Sequence, residues 1–123
     1  MIAPPNHGSE KADYVFKYYL TRKIFGKKSF MELQTSNKNF FNNMGTPPCE
    51  TGIILGGKGN SKGYSRIVPG DDDGAVSLES SMLDGITDIV QLNYTHTVLI
   101  FRQETVDNVL SFLSTGKFIK GEN

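Results

Sequence analysis

Residues 51–57 read TGIILGG. An apolar run this short, with prolines before it and glycines after it, fits a strand buried on both faces better than one alternating between core and water. Gly56, Gly57 and Gly59 then turn the chain away. A strand covered on both faces implies a parallel sheet with helices packed against it. Asp88–Leu92, DIVQL, reads as a second buried strand. Met1–Ala3 is a third, very short apolar run, stopped by Pro4 and Pro5, which cannot extend a hydrogen-bonded ladder. It reads as the end of a strand leading into a loop.

Helical patterns alternate with these strands. Ser9 is placed to cap a helix in which Ala12, Val15, Phe16, Tyr19, Leu20 and Ile24 form one apolar stripe, with Gly26 as its stop. Ser29 and Glu32 have the spacing of a capping box, opening a second helical stretch through Leu33. Phe40, Phe41 and Met44 continue its apolar side until Gly45, Pro47 and Pro48 end it. Leu78–Leu83 reads as a short helix. Gln103–Ser114 reads as the last one, with Val106, Val109, Leu110 and Leu113 inward and Gly116 as its terminator. Alternating strands and helices over 123 residues predict one α/β domain, long enough to bury roughly two-thirds of the surface its unfolded chain exposes.

Thirteen basic and thirteen acidic residues cancel, so net charge gives no reason to expect nucleic acid or an anionic membrane as partner. Lys11, Lys17, Arg22, Lys23, Lys27 and Lys28 cluster, but among aromatics at helical spacing, which describes a solvated helix face. The lone Cys49 can form no internal disulfide and belongs to no metal-binding frame; it favours a reducing, cytoplasmic setting and a structural thiol. No run approaches the roughly 20 apolar residues of a membrane span. The N-terminus lacks the charged and apolar regions of a secretory signal. No cofactor motif is present.

The chemistry concentrates in PGDDDGAVSLESSML, residues 69–83. Three adjacent carboxylates repel one another unless solvent, a metal or a basic group compensates them. A calcium loop alternates its ligands around a glycine at position six and a glutamate at twelve. With Gly74 at six, Pro69 takes the first ligand position and Ser80 the last, and the pattern fails. The other use of a carboxylate is to accept an imidazole N–H and fix its tautomer. His96, in NYTHTVLIF, follows the second strand as Asp73 follows the first. The C-terminal ends of neighbouring parallel strands open into the crevice where such sheets bind ligands. Asp73 and His96 are therefore the candidate pair.

Four segments in order carry a resemblance. MIAPPNHGSEKAD is similar to the strand and loop that follow the nucleophile helix in lipase-like α/β-hydrolases, and ELQTSNKNFFNNMGTPPCETGIILGG to that family's next helix, prolines and buried strand. DDDGAVSLESSML resembles its Asp-Gly-x-Val-x-x-x-Ser acid segment, and NYTHTVLIF its histidine loop. The resemblance implies a partial α/β-hydrolase: three αβα layers, a short, mostly parallel sheet, an inserted helical cap-like segment over residues 10–45, and the acid strand, histidine strand and final helix over 51–123. It implies that Asp73 is the triad acid and His96 the general base, with Asp71 and Asp72 as solvated neighbours.

That family needs a Gly-x-Ser-x-Gly turn between strand and helix, upstream of the part resembled here. GNSKG, Gly59–Gly63, matches the letters, but YSRIVPG follows, with a proline and no helix to support an oxyanion, and Ser61 lies too near Asp73 to hold an intervening strand and helix. Ser61 is read as a residue of a flexible glycine-rich loop. His7 is read as a loop residue and Asn93–Thr95 as a chance sequon. The expectation is thus the C-terminal portion of a serine hydrolase acting on esters or lipid-like substrates, inactive by itself until the nucleophile is supplied. The alternative is a non-catalytic α/β module from a split or truncated gene. The strand at Met1–Ala3 leaves an open edge, so pairing with an N-terminal half or with a second copy is expected.

Overall fold

The molecule is described from a computed structural model, over residues 1–18 and 27–120. Strands β1, Gly52–Gly56, and β2, Asp88–Leu92, pair in parallel, with Gly52 opposite Asp88 and Gly56 opposite Leu92. On the other side of β1, Ile2 bridges Ile54 in parallel. There the Ala3 N–H donates to the Ile54 carbonyl at 2.8 Å and the Ile54 N–H to the Met1 carbonyl at 3.0 Å. β1 is therefore the central element and is buried at every position. β2 is buried only at its two ends. The expectation of a second fully buried strand is corrected: among the described residues β2 has β1 as its one strand neighbour, and an edge strand keeps Gln91 in water.

Side chains alternate across a strand, so Ile54 faces one side of β1 while Ile53 and Leu55 face the other. On the first side Ala3, Ile54, Leu92, Leu99 and Phe118 form the core, with Val90, Tyr94, Val109 and Phe112 packed on it. Each aliphatic side chain so buried contributes about 1.5–3 kcal/mol. Mixed helices around a small parallel sheet place the chain in the α/β class.

Helix α1, Glu10–Phe16, begins where expected: Ser9 is its cap, its Oγ accepting the Ala12 N–H at 3.2 Å. Ala12 is buried and Val15 and Phe16 are half-buried, while Tyr19, Leu20, Ile24 and Gly26 lie outside the described residues. The expected second helical stretch is two helices, α2, Lys27–Glu32, and α3, Lys38–Asn42. Ser29 is the third residue of α2, so it does not cap it. The break falls where α1 captures the chain. Thr35 donates its N–H and hydroxyl to the Asp13 carboxylate at 3.2 and 2.6 Å, and the Ser9 N–H bonds the Leu33 carbonyl at 2.9 Å. Such side-chain acceptors compete directly with helix hydrogen bonds.

Helix α4, Leu78–Ser81, packs on β1 and stops short of Leu83, because Met82 is already extended. Helix α5, His96–Leu99, is a single turn the sequence did not announce; it buries Leu99 completely. Helix α6, Gln103–Thr115, ends as expected at Gly116, whose φ of 72° is left-handed. Its rotation is not as expected. Thr105 and Asn108 are buried and Val109 and Phe112 pack on the core, whereas Val106 and Leu110 are exposed and Leu113 is 76% exposed. Two contacts set this rotation. Phe112 stacks on Phe118 at 4.9 Å, and the Asn108 side chain accepts the Ile119 N–H at 2.9 Å, tying the returning chain to that face. No helix among the described residues is long and apolar enough to cross a membrane.

Candidate functional site

Each carboxylate of the acidic turn has its own set of donors. Asp71 accepts the N–H groups of Lys58, Gly59 and Asn60 at 2.9, 2.8 and 3.2 Å, and the Gln91 amide at 2.7 Å. Burial pushes its pKa up, but the Lys58, Gln91, Gly59 and Asp72 donors outweigh that and hold it below the usual carboxylate value. Asp72 is 0% exposed and accepts the N–H groups of Ser65 at 2.9 Å and Gly74 at 2.6 Å. A Cβ at Gly63 would collide with that carboxylate, so the loop can close over it only as glycine. The expectation that Asp71 and Asp72 are solvated neighbours is therefore corrected. Both organise backbone, and the glycine-rich loop 57–60 is pinned by Asp71 rather than left flexible.

Asp73, 2% exposed, accepts the N–H groups of Ala75 and Val76 on Oδ1, both at 2.9 Å. Its Oδ2 meets Nδ1 of His96 at 2.7 Å. The His96 N–H also donates to the Asp73 carbonyl at 2.7 Å, so backbone and side chain fix the pair together. Gly56, the last residue of β1, makes room for it: a Cβ there would stand 2.7 Å from both the Asp73 Cβ and the Tyr94 carbonyl oxygen. The two residues leave the C-terminal ends of adjacent parallel strands, and the structure brings them together.

The hydrogen bond from Asp73 raises the His96 pKa; burial opposes this, the Asp73 charge adds to it, and the Lys11 cation opposes it. A carboxylate on Nδ1 assigns the proton of the neutral ring to that nitrogen, leaving Nε2 as an acceptor. Nε2 has no hydrogen-bond partner among the described residues. The pair borders an open depression of about 390 Å³, lined by Lys11, Tyr64, Ser65, Thr95 and Thr97. A ring oriented by a buried carboxylate, with its second nitrogen open, can take a proton from a hydroxyl and return it to a leaving group.

Ser61 lies in an exposed turn, and no helix occurs among residues 57–77. Ser65 lines the depression, but its Oγ accepts the Ile67 N–H at 3.1 Å. His7 borders a different depression with Glu10 and Glu79. Cys49 is exposed, and the Asn93 side chain accepts the Tyr64 hydroxyl at 2.7 Å. Among the described residues no group of three His, Cys, Asp or Glu side chains could hold a metal ion.

Sequence reasoning missed Gly56, Gly63 and Lys11 as parts of this site. Their signal was absent from local spacing, because each acts on residues far along the chain. Comparison with protein-family models, with curated proteins and with solved structures finds no match to this chain.

Proposed function

We propose that Asp73 and His96 are the acid and base of a serine-hydrolase site of the lipase or esterase type, on a partial α/β-hydrolase fold, acting on carboxylic esters. The observation that carries this reading is the 2.7 Å contact between the buried Asp73 carboxylate and His96 Nδ1, at the ends of two adjacent parallel strands, with Nε2 open to the depression. In the reaction His96 takes the proton of a serine hydroxyl as it attacks the ester carbonyl, and returns it to the departing alcohol. Asp73 holds the ring and stabilises its protonated form.

The nucleophile comes from another segment. A place for one exists beside Met1–Ala3: Ile2 makes no backbone hydrogen bond among the described residues, and an apolar depression of about 270 Å³ lies next to it, lined by Met1, Ile2, Val109, Phe112 and Leu113. A second chain segment laid parallel along that edge would stand beside the Met1–Ala3 run with its C-terminal end on the side from which Asp73 and His96 emerge, while the depression, also bordered by Glu50, Thr51 and Gly52, lies at the other end of β1.

The test is to recover the tagged chain from its native cells with whatever pairs with it, treat it with a fluorophosphonate, and map added mass. The reading expects an adduct on a serine outside residues 1–123 and ester turnover lost in His96→Ala. Mass on Ser61, or turnover indifferent to His96, overturns it. The same open edge favours a second reading, a non-catalytic module that self-associates through Ile2. Sedimentation of the isolated chain decides that one, since a monomer at high concentration excludes it.

A further inference from the structure

Residues 6–11 are laced to residues 74–81. The Asn6 amide donates to the Ser81 carbonyl at 2.8 Å, the His7 N–H to the Ser80 carbonyl at 2.9 Å, and the Ser80 hydroxyl to the Gly8 carbonyl at 2.7 Å. The Ser77 hydroxyl donates to Glu10 at 3.1 Å. Two further contacts fall on the turn that carries Asp73. Lys11 Nζ donates to the Gly74 carbonyl at 2.8 Å, and Ser9 Oγ to the Ala75 carbonyl at 2.8 Å.

Those two carbonyls belong to the peptide groups whose N–H ends hold Asp73. The Gly74 carbonyl and the Ala75 N–H are one peptide group; the Ala75 carbonyl and the Val76 N–H are the next. Each is gripped at its oxygen by the first turn of α1 and gives its hydrogen to Asp73 Oδ1 at 2.9 Å. Peptide groups are planar, so fixing the oxygen fixes the N–H direction. A donor on the oxygen also polarises the group and strengthens the hydrogen bond at its other end.

We infer that Ser9 and Lys11 are positioning residues for the acid–base pair, acting on Asp73, and through it on His96, by orienting and polarising the peptide groups 74–75 and 75–76. This rests on reading His96 as the base, but it concerns how the ring is held and not what it reacts with. Lys11 acts twice. It tightens the Ala75 N–H on Asp73 Oδ1, which draws electron density from the carboxylate whose other oxygen, Oδ2, meets His96, and as a cation beside the same depression it opposes protonation of the ring. The charged or titratable groups facing His96 are Asp73, Lys11 and Tyr64. Both effects of Lys11 have one sign: removing the ammonium makes His96 hold its proton more tightly.

The experiment titrates the histidine ring protons by NMR in the full chain, in wild type, Lys11→Met and Lys11→Arg, with amide spectra of the same samples. Only His7 and His96 contribute, and His7, in another depression, is the reference inside the chain. In Lys11→Met the His96 midpoint is expected to move up and the Ala75 amide proton upfield as its bond to Asp73 lengthens; Lys11→Arg is expected to restore both. A surface charge acting through space would move the His96 midpoint and leave the Ala75 amide where it was, and that result overturns the relay. An unmoved midpoint, or an arginine variant displaced as far as the methionine one, overturns it too. Ester turnover is not part of the readout, so loss of the hydrolase reading would leave these measurements standing.

Discussion

Replacing Gly56 with alanine places a methyl group where β1 meets the acid–base pair. The added carbon would lie 2.7 Å from the Asp73 Cβ and from the Tyr94 carbonyl oxygen. Carbons rest about 3.5 Å apart or more, so Asp73 has to retreat by roughly 0.8 Å. The Tyr94 side is no softer, being backbone anchored to β2 by the Tyr94 N–H to Leu92 carbonyl bond at 2.8 Å. The Asp73–His96 contact starts at 2.7 Å. Opened by that distance it reaches about 3.5 Å, where little of a hydrogen bond survives. Overpacking of this kind costs about 1–3 kcal/mol, against a total stability on the order of 5–15 kcal/mol. Two outcomes are expected in Gly56→Ala: urea unfolding shows the loss of stability with an unchanged slope, and the His96 titration midpoint falls, because the hydrogen bond that raises it has gone. A variant that keeps wild-type stability within about 0.5 kcal/mol and the wild-type midpoint would show that the close approach is not what holds the pair.

Asp72→Ala removes the acceptor of the half-buried Ser65 and Gly74 N–H groups, and charge-assisted bonds of this kind carry about 1.5–3 kcal/mol each. Urea denaturation is expected to show a loss of about 2–4 kcal/mol, while a loss under about 0.5 kcal/mol would return Asp72 to the role of a solvated acid. Gly116→Ala forces a side chain into a left-handed φ of 72°, which costs about 1–2 kcal/mol. A melting temperature lowered by several degrees checks it, and no change would mean that the helix end rearranges. For pH, His96 has a folded pKa raised above the unfolded value of about 6.5. The stability it contributes is fully present below that value and lost as pH rises through the folded pKa. The stability difference between wild type and His96→Gln should therefore shrink as pH rises from 6 to 9; a difference that grows refutes the assigned direction.

What the sequence disclosed follows from which interactions are local. The central strand announced itself because Ile53, Ile54 and Leu55 are all buried, which leaves no alternation to confuse with an edge. The caps at Ser9 and Gly116 were legible because their partners lie within four residues. Placing Asp73 and His96 after adjacent parallel strands required only topology. The face of α6 could not be read the same way. Thr105–Asn108–Val109–Phe112 and Val106–Leu110–Leu113 are neighbouring stripes with helical spacing, and the second is the more apolar. The first turned inward because Asn108 and Phe112 hold the chain that returns at Phe118 and Ile119, contacts that hydropathy does not register. The same blindness hid the break between α2 and α3, which Asp13 imposes from a different helix.

The acidic turn shows this limit most clearly. Three consecutive aspartates in a near-neutral chain suggest compensation by solvent, a metal or a basic side chain. The structure answers chiefly with backbone. Asp71 takes loop 58–60, Asp72 takes the N–H groups of Ser65 and Gly74, and Asp73 takes Ala75 and Val76 before it meets His96. Successive side chains on a tight turn point in different directions, so the three charges are separated by the peptide groups they each collect. Backbone donors have no letter in a sequence. A run of acids is therefore compatible with a solvated patch, a metal site or a folded anchor, and only the arrangement of surrounding N–H groups distinguishes them. Here that arrangement also accounts for the division of labour: two aspartates are used up in shaping the loop, and the third alone keeps an oxygen free for the imidazole.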